Sequence, residues 1–307
     1  MFIKGLLEMK IGYPCIHRSI GCSTNKTFRL KSYSESRFRE TVENNLACLQ
    51  KILEYNVAHH ILFFRISSDL IPFASHPICT ILWQDDYRDQ FKTIGRYIKK
   101  NHMRISMHPD QFIVLNAKDN DIVQRSIKEL QYHAEVLDAL DLQNAAKIQL
   151  HVGGVYNDKE ASINRFINTY HHLSENILKR LVIENDDNRF TLNDCLKIAE
   201  KLTLPILFDY FHHSIYHENN YFDELFFQYV QTWKTHDGLP MSDYSSQQPN
   251  SRVGSHAQSI DIHDFTKFLT ITKPYDIDIM LEIKDKETSA QKAIETAQQD
   301  KRFFKVI

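Results

Sequence analysis

Six short apolar runs in the sequence each end in an imidazole or a carboxylate. These residues are His108 in SMHPDQ, His151 in QLHVGG, Glu184 in VIENDD, Asp209 and His212 in LFDYFHH, Asp243 in MSDYSSQ and Glu282 in IMLEIKDK. Two further histidines, His76 in ASHP and His256 in GSHAQ, stand in loops that follow such runs. An isolated ionised carboxylate there carries a large desolvation cost unless it is paired or bound to a metal. Because Zn²⁺ and Mn²⁺ accept mixed imidazole and carboxylate ligands, the set predicts a multinuclear metal site in which Glu184 can bridge two ions.

Each of these residues also has an ordinary structural interpretation. A lone histidine at a strand end is more often a hydrogen-bonded structural residue, and a lone carboxylate there is often a helix N-cap or an arginine partner. For the whole set, that interpretation requires many independent coincidences at one rim. Other histidines, such as His59, His102 and His133, precede strands or lie in helical stretches, and we interpret them as surface or packing residues. His213, directly after His212, stays ambiguous.

The apolar runs belong to a set of eight, and helical stretches lie between them. The runs are Met9–Pro14, Ile61–Ser67, Arg104–Met107, Lys147–Val152, Leu181–Ile183, Pro205–Phe208, Leu239–Tyr244 and Ile277–Ile283. The predicted helices include Glu35–Tyr55, Asp119–Leu140, Tyr221–Trp233, His263–Leu269, Glu287–Ala297 and one that follows a capping box at Thr191 and Asp194. This alternation predicts an α/β fold, a (β/α)₈ TIM barrel that comprises residues 1–307 as a single domain. A doubly wound sheet is the alternative, although no glycine-rich fingerprint follows the first run.

In a TIM barrel the C-terminal ends of the strands build the active site. The strand-end imidazoles and carboxylates are therefore expected at one rim. Two long loops, Cys15–Ser34 after the first strand and Ser242–Gly254 after the seventh, are predicted at the same end.

The composition is that of an ordinary globular protein. Of 307 residues, 42% are hydrophobic and 25% charged, which excludes collagen, coiled coil and wholesale disorder. The start MFIKGLLEMK lacks the features of a signal peptide and no run approaches the ~18–20 apolar residues of a membrane span, so we expect a cytoplasmic protein. The five cysteines are odd in number and show no CxxC, which predicts reduced thiols and disfavours a disulfide framework or zinc ribbon. The net charge of −2 does not indicate nucleic-acid binding, but a local basic rim is sufficient to hold phosphates.

The sequence resembles the UV damage endonucleases, DNA-repair nucleases whose TIM barrel is similar to those of endonuclease IV and the xylose isomerases. The resemblance covers roughly residues 10–286. It is carried by GYPC (12–15), FRISSDLIPFASHP (64–77), SMHPDQF (106–112), HVGGVY (151–156), ENDD (184–187), DYFHH (209–213), SSQ (245–247), GSHA (254–257) and EIKDKE (282–287). LIPFASHP together with ENDD and FHH is specific to that family.

The resemblance implies a site with about three divalent ions, Mn²⁺ foremost, with Zn²⁺, Co²⁺ or Mg²⁺ as alternatives. The implied ligands are His108, His151, Glu184, Asp209, His212, Asp243, His256 and Glu282. The implied catalytic residues are Glu184, His76 and Lys284, and Tyr13 and Gln111 are the implied pair that probes the DNA lesion. Tyr13 also has an interpretation as a strand-end packing residue, and Gln111 as a cap of the loop after His108.

The implied reaction is hydrolysis of the phosphodiester immediately 5′ of a UV photoproduct, or of an abasic site, which leaves a 3′-hydroxyl and a 5′-phosphate. The implied partner is damaged double-stranded DNA, with no membrane and no obligate protein partner, and a monomer is expected. Candidate phosphate contacts are Arg18, Lys26, Arg29, Lys31, Arg189, Arg252, Lys284 and Lys286. Alternative functions are a metal-dependent sugar isomerase or epimerase on the same barrel, a non-enzymatic DNA-binding module and a general abasic-site endonuclease.

The seventh strand departs from the pattern of the family. Its members often carry Lys-x-His there, with a carboxylated lysine, whereas this chain has Met241 and Asp243. A methionine cannot be carboxylated, so that modification is expected to be absent. Aspartate can replace histidine as a ligand, although Asp243 is the least secure of the set.

Overall fold

The computed structural model describes residues 9–218 and 222–303. Eight parallel strands close into a barrel in the order of the sequence, and β1 pairs with β8 to complete it. The strands are β1 (Ile11–Pro14), β2 (Phe63–Ile66), β3 (Arg104–Met107), β4 (Lys147–His151), β5 (Leu181–Glu184), β6 (Ile206–Asp209), β7 (Met241–Tyr244) and β8 (Asp278–Leu281). Each overlaps its predicted run, so the prediction of a (β/α)₈ TIM barrel is confirmed.

The helices surround the barrel. In the described ranges they are α1 (Glu35–Ala58), α2 (Trp83–Asp86), α3 (Arg88–Lys100), α4 (Asn120–Ala139), α5 (Lys159–Tyr170), α6 (Glu175–Leu178), α7 (Leu192–Leu202), α8 (Tyr210–Ile215), α9 (Phe222–Gln231), α10 (Ile262–Ile271) and α11 (Glu287–Ala297). The predicted capping box is present at α7, where the Thr191 and Asp194 side chains each accept a hydrogen bond from the other residue's backbone N–H. Tyr221, the predicted first residue of one helix, lies outside the described residues.

The core lies between the barrel and its helices. The predicted apolar face of α1 is buried along its length, from Phe38 and Val42 to Leu53. Every strand residue from β1 to β3 is likewise buried, as the crossover helices of a parallel barrel require. None of the helices in the described ranges is long and apolar enough to cross a bilayer.

The long loop after β1 is tied to α1 by a disulfide between Cys22 and Cys48. Their Cα atoms are 5.8 Å apart and they are separated by 26 residues in the sequence. The prediction that all the thiols are reduced is therefore wrong. The loop folds back along α1, where Asn45 exchanges hydrogen bonds with the backbone of Lys26. That path brings the two sulfur atoms together, and the spacing of cysteines in the sequence does not reveal it.

Charged side chains also fill the N-terminal end of the barrel interior. Arg104 on β3 pairs with Asp278 on β8 at 3.2 Å, and the amine of Lys147 on β4 lies 2.5 Å from a carboxylate oxygen of Asp237. All four side chains are buried. Arg104 and Lys147 therefore each have a carboxylate partner.

Candidate metal centre

The strand-end imidazoles and carboxylates converge at the C-terminal mouth of the barrel. They form three overlapping groups in which the potential ligand atoms all lie within 4.8 Å of one another. The groups are His108, His151 and Glu184; Glu184, Asp209 and His212; and Asp209, Asp243 and Glu282. The register of the sheet explains the convergence, because His151 lies opposite Glu184 and Asp209 lies opposite Asp243 on neighbouring strands.

Glu184 is the centre of the imidazole-rich side. Its Oε2 atom lies 3.5 Å from His108 Nε2, and its Oε1 atom lies 3.6 Å from His212 Nδ1 and 4.0 Å from His151 Nε2. The side chain is 1% exposed. Burial alone would raise the pKa of Glu184, but His151, His212 and His108 lower it to about 2. The carboxylate is therefore ionised at neutral pH.

The neighbouring imidazoles have opposite electrostatic surroundings. Burial lowers the pKa of His108 to about 4, so this ring is neutral at pH 7. Burial also acts to lower the pKa of His212, but the carboxylates of Asp209 and Glu184 raise it to about 11. In the absence of another cation, the proton on His212 compensates part of the local negative charge.

The turn from β6 into α8 fixes the orientation of His212. The Asp209 carboxylate accepts a hydrogen bond from the His212 backbone N–H at 2.7 Å and thereby caps the helix. The side chain of buried Asn185 pairs with the backbone of Asp209, and the backbone carbonyl oxygen of Asn185 lies 3.1 Å from His212 Nδ1. When Nδ1–H donates to this carbonyl, Nε2 remains as the atom that can bind a metal.

Asp243 and Glu282 form the carboxylate-rich side. Arg65 on β2 reaches both, with Nη2 at 2.6 Å from Asp243 Oδ2 and Nη1 hydrogen-bonded to Glu282. His256 Nε2 lies 3.9 Å from Glu282 Oε2, which places His256 at the edge of the cluster. Asp243 is fully buried in the barrel interior.

The chemistry of this donor set fits divalent cations. Four carboxylates, those of Glu184, Asp209, Asp243 and Glu282, lie close together at this mouth, and Arg65 pairs with the last two. Burial and the neighbouring carboxylates raise the pKa of Asp209 to about 7 and raise the pKa of Asp243 as well, because ionising so many adjacent acidic groups is costly unless cations compensate them. Asp243 Oδ1 and the Nδ1 atoms of His108, His151 and His256 are buried without a hydrogen-bond partner among the described residues. Oxygen and imidazole donors in this combination suit Mn²⁺ and Zn²⁺.

A cavity of about 410 Å³ opens above the cluster. Its walls include His108, His151, His212 and His256, with Gln111, Arg189 and Gly254 toward the rim. The loop after His151 approaches closely because Gly153 adopts φ 116°, and a Cβ atom there would lie 2.4 Å from Asn116 Oδ1.

Three of the predicted site residues do not join this cluster. Tyr13 is fully buried, and its hydroxyl donates to Asn56 on α1 at 2.8 Å, so the prediction that it probes DNA is not supported by its position. It faces the helix layer rather than the barrel mouth, which matches its alternative interpretation as a packing residue. His76 is exposed, and its Nδ1 accepts the Ile78 backbone N–H. Lys284 is exposed and belongs to none of the three groups.

Four residues near the mouth were not singled out as part of the catalytic site. Arg65 and Gln149 are polar residues inside the apolar runs FFRIS and KIQLH, and that interruption is the signal that would have found them. Lys286 was considered a phosphate contact, yet it is half-buried and interacts with Glu282, whereas Lys284 points to solvent. Phe112, beside Gln111, is 66% exposed, which is unusual for a large apolar side chain.

Comparison with known proteins agrees with this geometry. A family model described as UV-endonuclease UvdE matches residues 9–302. A UV DNA damage endonuclease from Clostridium perfringens is 43% identical over 288 residues, which cover 93% of this chain and 70% of that protein. The solved structure of SacUVDE is 45% identical, with a TM-score of 0.91 over 95% of this chain and 98% of that one.

A more distant structure shares the fold alone. D-Psicose 3-epimerase from Clostridium cellulolyticum H10 is 12% identical, with a TM-score of 0.54 over 82% of this chain and 93% of that chain. The strong matches extend over the barrel and over the motifs that supply the cluster. The chain therefore belongs to the UV-endonuclease UvdE family.

Proposed function

We propose that this protein is a metal-dependent endonuclease that nicks double-stranded DNA immediately 5′ of UV photoproducts, and of abasic sites. The observation that carries the proposal is the convergence of His108, His151, Glu184, Asp209 and His212 at the mouth of the barrel. Membership of the UvdE family supports DNA as the substrate. The candidate ligands all lie on one barrel, and a monomer with a single catalytic domain is the proposed form.

About three divalent ions, Mn²⁺ foremost, are the proposed cofactors. His108, His151, Glu184, Asp209, His212, Asp243, His256 and Glu282 are the residues that would hold them. When bound by these residues, divalent ions would supply Lewis acidity toward the scissile phosphate and would lower the pKa of a bound water. The ionised Glu184 orients the imidazoles around it, and Arg65 holds Asp243 and Glu282 in place. The proposed products are a 3′-hydroxyl and a 5′-phosphate.

Basic residues around the mouth are the proposed contacts to the DNA backbone. Those of the predicted set that are exposed are Arg18, Lys26, Arg29, Lys31, Arg189, Arg252 and Lys284. Half-buried Lys286 interacts electrostatically with Glu282, so we infer that it is better placed for the scissile phosphate than exposed Lys284. Such contacts release counterions, so affinity is expected to fall steeply with salt despite the net charge of −2.

Lesion choice is proposed to come from the deformability of damaged DNA. A photoproduct stacks poorly, so its extrusion costs less than that of a normal pair. Gln111 lines the cavity and Phe112 next to it is exposed, which supports these two residues, rather than buried Tyr13, as the group that fills the gap. An aromatic ring and an amide can replace the stacking and hydrogen bonds of the extruded bases.

An end-labelled duplex with one cyclobutane dimer at a defined position tests this proposal. With Mn²⁺, a single cut at the phosphate 5′ of the dimer is expected, and the fragment should carry a 3′-hydroxyl that a polymerase extends. The undamaged duplex of the same sequence is the control. Cuts at equal rates in both duplexes, or cuts only 3′ of the dimer, would contradict the proposal.

A further inference from the structure

The side chain of Gln149 bridges two carboxylates of the candidate metal centre that lie on different strands. Gln149 lies on β4, two residues before His151, and it is fully buried. Its Nε2 atom donates to Glu184 Oε2 on β5 and to Asp243 Oδ2 on β7, both at 2.9 Å. A carboxylate only accepts hydrogen bonds, so these two contacts use both protons of the amide nitrogen.

Asp243 is held asymmetrically as a result. Its Oδ2 atom receives hydrogen bonds from both Gln149 and Arg65. Its Oδ1 atom is buried and has no hydrogen-bond partner among the described residues. Asp243 also belongs to the group of potential ligands formed with Asp209 and Glu282. One oxygen of this carboxylate is thus fixed by protein donors while the other remains for a cation.

We propose that Gln149 is a positioning residue that orients Glu184 and Asp243 for divalent metal ions. This inference rests on the proposed function, because it concerns the same metal centre. A neutral amide suits this place, since it donates to two carboxyl groups on different strands without adding charge. Leucine would fill a similar volume without donating, and asparagine would keep the amide on a side chain too short to reach both strands.

Uptake of Mn²⁺ by the metal-depleted full-length protein tests this role without reference to cleavage. Isothermal titration calorimetry would compare the wild type with Gln149→Leu and Gln149→Asn. Loss of a supporting hydrogen bond to metal ligands typically weakens metal binding by about 10–100-fold, and this increase in Kd is expected for both variants. Gln50→Leu is the matched control, because Gln50 donates to Glu54 on the exposed face of α1. This variant should bind Mn²⁺ with the Kd of the wild type.

A spectroscopic measurement separates positioning from a general structural role. The visible absorption of the Co²⁺-loaded protein reports ligand geometry, so both Gln149 variants should change it while their far-UV circular dichroism stays that of the wild type. The same Kd and the same Co²⁺ spectrum in Gln149→Leu as in the wild type would overturn the inference. Unfolding of both variants would assign Gln149 a structural role and would also overturn it.

The wild-type titration distinguishes the two proposals. A wild-type protein that takes up no Mn²⁺, Co²⁺ or Zn²⁺ would overturn the metal centre of the proposed function together with this inference. Normal uptake by the wild type and unchanged uptake by both variants would overturn the role of Gln149 alone.

Discussion

Both ends of the barrel interior contain charged side chains, but they differ in the ratio of acidic to basic groups. At the N-terminal end, Arg104 pairs with Asp278 and Lys147 pairs with Asp237. At the C-terminal end, the carboxylates of Glu184, Asp209, Asp243 and Glu282 lie close together, and the guanidinium of Arg65 pairs with the last two. We call the N-terminal end, where each of these cations has a carboxylate partner, the balanced end. We call the C-terminal end, where four carboxyl groups share one guanidinium, the acidic end.

The difference indicates that the charged side chains at the N-terminal end stabilise the fold, whereas those at the C-terminal end belong to the candidate metal centre. Breaking a balanced buried pair is costly because one partner is left uncompensated, so the N-terminal end is expected to govern stability. The clustered carboxylates at the other end can attract cations, and the imidazoles beside them can supply further ligands. The position of the candidate metal centre agrees with this assignment, since active sites of TIM barrels lie at the C-terminal face of the barrel.

The largest expected effect concerns Glu184 at the acidic end. Glu184→Gln keeps the shape of the side chain but removes the charge that three imidazoles surround. Cleavage of UV-irradiated DNA should fall by at least about 10²–10³-fold, as when one electrostatic group is removed from an active site. Single-turnover cleavage of the dimer-containing duplex measures this. Glu160→Gln on the exposed surface of α5 is the control, and full activity in Glu184→Gln would contradict the assignment of the centre.

At the balanced end, the expected effect is on stability. Arg104→Met leaves Asp278 buried without its partner, which should lower the free energy of unfolding by about 3–5 kcal/mol. Urea denaturation of the metal-free protein measures the change. Arg88→Met breaks an exposed pair with Asp85 and should cost less than about 1 kcal/mol. Equal losses in the two variants would remove the distinction between buried and exposed pairs.

Added Mn²⁺ should stabilise the protein through the acidic end alone. At about 100 times its Kd, a ligand that binds only the folded state contributes about 2.7 kcal/mol per site. The Tm measured with Mn²⁺ should therefore exceed the Tm measured with EDTA, and this increase should be the same in the wild type and in Arg104→Met. Glu184→Gln should show a smaller increase in Tm with Mn²⁺. An increase equal to that of the wild type would argue that Mn²⁺ binds elsewhere.

The smallest expected effect is a pH dependence at the balanced end. Burial lowers the pKa of Lys147 to about 8, although Asp237 opposes this shift and Arg104 and Arg180 add to it. In the unfolded chain a lysine titrates near ~10.4. Between these values the unfolded state binds more protons, so the free energy of unfolding should rise with pH above about 8, by at most about 1.4 kcal/mol per pH unit.

Lys147→Met removes the titrating amine and should remove this rise. Urea denaturation of both proteins across that range compares the two slopes. The same slope in the variant as in the wild type would assign the pH dependence to other groups.

The strand-end pattern made most of the site predictable. His108, His151, Glu184 and Asp209 end strands, or directly follow them, whose apolar runs are evident in the sequence, and a barrel brings such ends to one rim. Tyr13 shows where that reasoning stops. It also lies near a strand end, but alternate residues of a strand face opposite sides, and Tyr13 faces α1.

The supporting residues depend on contacts between distant parts of the chain. Gln149 reaches Asp243 across 94 positions of sequence, and Arg65 reaches Glu282 across 217. Neither partner is specified by local pattern, and the Cys22–Cys48 disulfide depends in the same way on the path of a loop. Periodicity predicts elements and faces, whereas such pairings require the closed barrel.

The central claim is that the acidic end holds divalent ions that act on UV-damaged DNA. A nicking assay tests it most directly, with UV-irradiated and untreated supercoiled plasmid, each incubated with the protein and Mn²⁺ or with the protein and EDTA. Relaxed circles are expected only in the irradiated sample with Mn²⁺. Irradiated plasmid that stays intact with Mn²⁺, or that is nicked equally with EDTA, would contradict the claim.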